Sequence, residues 1–144
     1  MQKRLSLLAL IVMAGSLVAL YQVHALFSWS PIVIGVQVLA ALLMLWARIT
    51  FGMRSFHAAA NPTAGGLVTT GPYHYIRHPI YTAVLLFIWA GAVANWSLPA
   101  FGLAAALTMG AVVRMWCEEQ MVVITYPEHR DYAKVTRRAI PGVW

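Results

Sequence analysis

The chain of 144 residues is 61% hydrophobic and only 10% charged, whereas soluble domains are about a quarter charged. This composition excludes an ordinary soluble domain and predicts an integral membrane protein, in which any chemistry sits on the helices themselves. The net charge is +6, and the single cysteine, Cys117, excludes an internal disulfide and a cysteine-rich zinc site, so we predict no metal site.

The first half of the chain predicts a hairpin of two transmembrane helices. Residues 5–27 follow Lys3 and Arg4 and are long enough to cross a hydrocarbon core of about 30 Å. A cleaved signal peptide is the alternative interpretation, but the apolar run is longer than the usual hydrophobic region of a signal peptide and a second span follows at once. After a short turn that ends at Pro31, residues 32–48 return across the membrane.

The second half predicts another hairpin, preceded by a loop and followed by a tail. Residues 52–78 are rich in glycine and proline, which predicts one long loop. Apolar runs at residues 79–95 and 99–117 predict the third and fourth helices. Residues 120–144 predict a tail with a short amphipathic helix at the membrane surface. We therefore expect a single all-α membrane domain over residues 1–144.

The basic residues predict the orientation of these helices. With four crossings, every Lys and Arg falls on one face, and the two short turns on the other face carry none. The positive-inside rule then places both termini and the long loop in the cytoplasm, in the cytoplasmic (inner) membrane if the protein is bacterial. The same charge favours contact with anionic membrane lipids. Nucleic-acid binding is disfavoured, because the charges border apolar spans.

Two polar clusters are candidates for chemistry. One is residues 71–81 (GPYHYIRHPIY), and the other contains Arg114, Glu118 and Glu119. Because the third helix leads away from one membrane face and the fourth returns to it, both clusters reach a common polar mouth. Arg114 and Glu118 are four residues apart and share one helix face, whereas Glu119 points about 100° away from Glu118. We therefore expect the two carboxylates to have different roles.

The residue types in these clusters favour a small ligand with both cationic and anionic groups. Arg and His are donors for an anionic end, carboxylates accept from amino or hydroxyl groups, and aromatic faces attract a cation. S-adenosylmethionine is one such molecule, although the residue types do not name it. Structural interpretations are also open: Arg77 as a snorkelling charge, His78 as a helix start and the tyrosines as an interfacial belt.

The runs GPYHYIRHPIY and RMWCEE and the tail YPEHRDYAKVTRRAIPGVW together resemble the isoprenylcysteine carboxyl methyltransferase family and its bacterial relatives, over about residues 66–144. The resemblance implies an all-helical membrane enzyme without a Rossmann domain. It implies that S-adenosylmethionine binds between the loop, the last transmembrane helix and the tail. The implied cofactor-binding residues are Tyr73, Arg77, His78, Tyr81, Glu118 and Glu119.

The resemblance also implies catalytic roles for Glu118, Glu119 and Arg138, with Arg137 and Arg138 on the substrate side. The expected activity is methyl transfer to a lipophilic or lipidated acceptor, either carboxyl O-methylation of an isoprenylcysteine-like substrate or methylation of a related lipid. A carboxylate acceptor needs no general base, whereas an amine must first lose a proton. Two alternatives remain: a membrane reductase of the sterol-reductase type with a nicotinamide cofactor, and a noncatalytic membrane partner protein.

Overall fold

The computed structural model describes residues 1–52, 66–142 and 144, so residues 53–65 of the predicted loop lie outside the described residues. The described chain is helical and contains no strand; one isolated β-bridge joins Ile76 to Arg137. The predicted all-α membrane class is confirmed. The α-helices are α1 (Gln2–Gln22), α2 (Pro31–Phe51), α3 (Pro79–Ala94), α4 (Leu98–Thr125) and α5 (His129–Val135), and a 3₁₀ turn covers Gly71–His74.

Three of these helices, α1, α2 and α4, are long and apolar enough to cross a membrane. The shorter apolar helix α3 has 16 residues. At 1.5 Å per residue α3 is about 24 Å long, less than the hydrocarbon thickness of about 30 Å. The four predicted crossings therefore correspond to three full-length helices and one short apolar helix.

Helix α1 ends at Gln22, so the prediction of a helix over residues 5–27 was wrong at its carboxyl end. The chain turns at His24, whose φ of 56° is left-handed, and the Ala25 amide donates to the Leu20 carbonyl at 2.9 Å. Ala25 and Leu26 are buried in the protein core. Their apolar side chains therefore serve the packing of a turn, which hydropathy does not distinguish from a span.

Helix α4 continues to Thr125, past the predicted end at residue 117. The prediction ended the helix where the apolar run meets Glu118 and Glu119, and carboxylates are costly near the hydrocarbon core. In the structure both carboxylates are paired with basic side chains, which offsets that cost. The two glutamates therefore lie within α4, and its last turns extend beyond them.

Helices that are neighbours in the sequence are not always neighbours in the packing. Helix α1 packs along α4, α2 packs along α3, and α3 also contacts α4. The contact between α1 and α4 is close at Gly110, where a Cβ atom would lie 2.7 Å from Met13 Cγ and 3.0 Å from the Ala9 carbonyl oxygen. The first helix thus lies against the last long helix, and its neighbour in sequence, α2, lies against α3.

Gly91 allows the turn after α1 to pack directly on α3. A Cβ atom at this position would lie 2.2 Å from the Leu26 carbonyl oxygen and 2.8 Å from that of Ala25. We expect Gly91→Ala to destabilise the protein by about 1–3 kcal/mol, because backbone atoms would have to move. Thermal unfolding in detergent should show a lower Tm. Gly102→Ala is the control and should cause no loss, since nothing lies within 4 Å of its Cβ position.

Candidate functional site

The segment before α3 and the tail after α5 are held together by backbone hydrogen bonds. The Arg77 amide donates to the Arg137 carbonyl at 2.8 Å, and the His78 amide donates to the Arg138 carbonyl at 2.9 Å. The Arg137 amide in turn donates to the carbonyl of Tyr75 at 3.3 Å. This short pairing brings basic residues that are some sixty positions apart in sequence to the same end of α4.

Glu119 lies at the centre of three basic side chains. We call the four residues the Glu119 cluster (Arg77, His78, Glu119 and Arg138). Arg77 Nε donates to Glu119 Oε1 at 2.9 Å, and His78 Nε2 lies 3.1 Å from the same oxygen. Arg138 donates from Nη2 to Oε2 at 2.7 Å and from Nε to both oxygens at 3.1 Å. Both oxygens are therefore engaged, and the Glu119 side chain is only 10% exposed.

Glu118 belongs to a second group, the Glu118 cluster (Tyr81, Arg114 and Glu118). Its Oε1 accepts from the Tyr81 hydroxyl at 2.5 Å and from Arg114 Nη2 at 3.3 Å. Arg114 Nε also donates to the Tyr81 hydroxyl at 2.8 Å. The nearest basic atom to Oε2 among the described ion pairs is His78 Nδ1 at 3.8 Å, and the Glu118 side chain is 25% exposed. Glu118 is thus the more accessible carboxylate, and His78 lies between the two clusters.

Arg77 also ties the tail to the site. Its Nη1 donates to the carbonyl oxygens of Thr136 at 2.6 Å and Ala133 at 3.2 Å, while its Nε holds Glu119. The Tyr132 hydroxyl donates to the carbonyl of Tyr73. One guanidinium therefore joins α4, α5 and the segment before α3.

Tyr73 lies at the edge of this arrangement. Its ring packs against that of Phe51, with centroids 5.4 Å apart, and burial raises its pKa above the ordinary tyrosine value. Burial likewise raises the pKa of Tyr132 to about 12, so both phenols are neutral at physiological pH. Six of the seven residues predicted to bind the cofactor or take part in catalysis therefore belong to the two clusters, and the seventh, Tyr73, lies beside them.

Several contributors to the site were missed by the sequence interpretation. The Ser6 carbonyl of α1 accepts from Arg114 Nη1 at 3.3 Å, and the Arg138 guanidinium lies 5.1 Å from the centroid of the Trp144 ring. Arg114, by contrast, was already placed beside Glu118 by its spacing of four residues, although it was not among the predicted cofactor-binding or catalytic residues. No sequence signal pointed to Ser6 or Trp144. The side chain of Arg137, which was expected on the substrate side, is exposed.

His129 is buried beside the Glu119 cluster, and its Nδ1 has no hydrogen-bond partner in the described part of the chain. Burial lowers its pKa, and the charges of Arg77 and His78 lower it further against the opposing effect of Glu119. The fold therefore favours neutral His129, whereas the unfolded chain binds a proton with a pKa of about 6.5. The contribution of neutral His129 to the free energy of unfolding should be complete above about pH 6.5 and should decrease as the pH falls below that value.

We expect the Tm of the wild-type protein in detergent to fall as the pH is lowered from 7.5 to 5.5. Below pH 6.5 the contribution of His129 should decrease by at most about 1.4 kcal/mol per pH unit, until the folded protein binds the proton as well. His129→Gln removes this titration, so its Tm should depend less steeply on pH. Equal slopes for the two proteins would show that His129 is not held neutral by the fold.

Comparison with known proteins finds one matching family and one similar protein. The family model for phospholipid methyltransferase matches residues 31–129, which run from the start of α2 to the first residue of α5. The cobalt-zinc-cadmium resistance protein CzcN of Cupriavidus metallidurans is 37% identical over 78 residues, covering 52% of this chain and 35% of CzcN. The chain therefore spans about a third of that relative's length. No solved structure gives a significant match.

Proposed function

The chain belongs to the phospholipid methyltransferase family, which is of the isoprenylcysteine carboxyl methyltransferase type, and on this premise we propose that it transfers a methyl group from S-adenosylmethionine to a lipophilic acceptor in the membrane. The observation that carries the proposal is the convergence of paired carboxylates on α4 with Arg77, His78 and Arg138 from two distant segments. The family supports methyl transfer on lipid-related substrates, and the donor and the acceptor are our proposal.

The residues of the two clusters fit S-adenosylmethionine chemically. Arg138 uses Nε and Nη2 for Glu119, which leaves the hydrogens of Nη1 to donate to the ligand carboxylate. The Glu118 side chain is 25% exposed, and its Oε2 suits an ammonium or ribose hydroxyl group. The Trp144 and Tyr81 rings add aromatic surface for a sulfonium. When bound, the cofactor supplies an electrophilic methyl group.

We infer different roles for the two glutamates. Glu119 is occupied by three basic side chains, so it fixes Arg77, His78 and Arg138 and does not itself meet the ligand. Among the described contacts, Glu118 accepts hydrogen bonds through Oε1, and its Oε2, 3.8 Å from His78 Nδ1, is proposed to face the ligand. Such preorganised charges favour catalysis because they need no rearrangement when the acceptor attacks.

The acceptor is proposed to be the polar end of a lipid or of a prenylated cysteine. A carboxylate acceptor would need orientation by a basic side chain but no proton transfer. An amine acceptor would have to lose a proton, and His78, which contacts both carboxylates at 3.1 and 3.8 Å, is the proposed proton acceptor. The two acceptor classes therefore make different demands on His78.

The decisive test is incubation of the protein in nanodiscs with methyl-labelled S-adenosylmethionine and membrane lipid extract, followed by mass spectrometry of the lipids. We expect saturable cofactor binding and a labelled lipid or prenyl product. Arg138→Gln should weaken cofactor binding roughly tenfold, since it removes a charged donor. Arg130→Gln, the matched control at an exposed tail arginine, should not. A lack of cofactor binding by the wild-type protein, or its preference for a nicotinamide nucleotide, would contradict the proposal.

We also propose that the site faces the cytoplasm, together with both termini. Helix α1 begins beside Lys3 and Arg4, and its Ser6 carbonyl contacts Arg114, so the amino terminus lies at the same end of the bundle as the two clusters. The positive-inside rule favours the cytoplasmic side for that end. Fusion of a compartment-sensitive reporter to either terminus should give the cytoplasmic signal.

A further inference from the structure

Helix α1 reaches the candidate site although the family match begins only at residue 31. Its contact is the Ser6 carbonyl, which accepts from Arg114 Nη1 at 3.3 Å. The other atoms of the same guanidinium donate to the Tyr81 hydroxyl at 2.8 Å and to Glu118 Oε1 at 3.3 Å. A single buried side chain, 5% exposed, thus links α1 to the carboxylate that faces the proposed ligand.

The packing of α1 against α4 brings the Ser6 carbonyl to Arg114. Gly110 lies one helical turn before Arg114, and its missing side chain makes room for the Ala9 carbonyl and Met13 of α1. Ser6, Ala9 and Met13 recur at helical spacing and lie on the face of α1 that meets α4. The close approach of α1 to α4 at Gly110 thus lies one helical turn from the hydrogen bond between the Ser6 carbonyl and the Arg114 guanidinium.

We propose that Arg114 is a positioning residue for Glu118 and Tyr81, and that α1 is the part of the site that holds Arg114 in place. The inference rests on the proposed S-adenosylmethionine site. A buried guanidinium needs an acceptor for each of its donors, since an unsatisfied charged donor is costly. Arg has a rigid planar fork, so fixing Nη1 on Ser6 also fixes the directions of Nε and Nη2. Glu118 then presents its Oε2 in one orientation.

Gly110→Ala tests this proposal without changing any charge. The added methyl group would lie 2.7 Å from Met13 Cγ and 3.0 Å from the Ala9 carbonyl oxygen, so the Met13 side chain must shift and the α1 backbone at Ala9 must move away from α4 by a few tenths of an ångström. We expect the Kd for S-adenosylmethionine to rise roughly tenfold, as for the loss of a hydrogen bond to a charged group. Gly102→Ala on the same helix has open space and should leave the Kd unchanged.

Comparison with Gly91→Ala distinguishes a specific loss of affinity in Gly110→Ala from a general loss of stability. Gly91 is twelve residues from Pro79 along α3, about 18 Å from the site end of that helix, and its substitution should lower the Tm. With all proteins assayed below their unfolding temperatures, Gly91→Ala should keep the wild-type Kd while Gly110→Ala does not. Equal Kd values for wild type and Gly110→Ala would overturn the proposal.

Substitution of Arg114 is an independent test of its positioning role, and it applies even if Gly110→Ala fails to fold. Arg114→Lys keeps the charge but loses the fork, so it should restore only part of the affinity that Arg114→Gln removes. Wild-type affinity in Arg114→Gln would refute the positioning role. The proposed function fails separately, when the wild-type protein itself does not bind S-adenosylmethionine.

Discussion

Replacement of Glu119 by glutamine is expected to reduce methyl transfer by about 100-fold or more and to lower the free energy of unfolding by about 3–5 kcal/mol. The amide keeps the shape of the side chain but leaves Arg77, His78 and Arg138 facing a neutral group, although all three lie within 3.1 Å of the carboxylate. The Arg77 and Arg138 guanidiniums would then repel each other in a largely buried site without a carboxylate to compensate them. The measurements are the initial rate with labelled S-adenosylmethionine and the Tm in detergent.

Asp131→Asn is the matched control for the loss of one negative charge. Asp131 pairs with Lys134 at 2.7 Å, but its side chain is 80% exposed. Exposed pairs of this kind contribute little, so we expect no measurable change in rate or Tm. If Glu119→Gln behaved like Asp131→Asn, the central role assigned to Glu119 would be wrong.

The membrane class and the composition of the site could be predicted from the sequence because both depend on local patterns. Long apolar runs predicted the helices, and the spacing of Arg114, Glu118 and Glu119 predicted that the two carboxylates occupy different faces of one helix. The structure gives Glu118 and Glu119 different partners, in agreement with that spacing. Their different chemical roles are still a prediction.

The parts that could not be predicted depend on contacts between distant segments. Nothing in the apolar pattern of α1 distinguishes packing against α4 from packing against α2, because packing involves contacts between distant segments such as the close approach at Gly110. The pairing of Ile76 with Arg137 involves only backbone groups and leaves no signature in side chains. The length of α4 was underestimated for a related reason, since the charges of Glu118 and Glu119 are compensated by residues elsewhere in the chain.

Arg77→Ala should release the tail from the rest of the site. The Arg77 guanidinium holds Glu119 through Nε and the carbonyls of Ala133 and Thr136 through Nη1, so its removal breaks contacts to two elements at once. We expect trypsin to cleave the tail at Arg130 and Lys134 at least about tenfold faster, because cleavage requires local unfolding of α5. Methyl transfer should fall together with tail protection.

Arg77→Lys sharpens the test, because a lysine ammonium keeps the charge beside Glu119 but lacks the planar fork that reaches both carbonyls. It should protect the tail less well than arginine and better than alanine. Arg4→Ala, which removes an exposed cation from the start of α1, should leave the cleavage rate unchanged. Loss of activity in Arg77→Ala with full tail protection would assign Arg77 to the ligand alone, whereas loss of both would show that binding at the site depends on the docked tail.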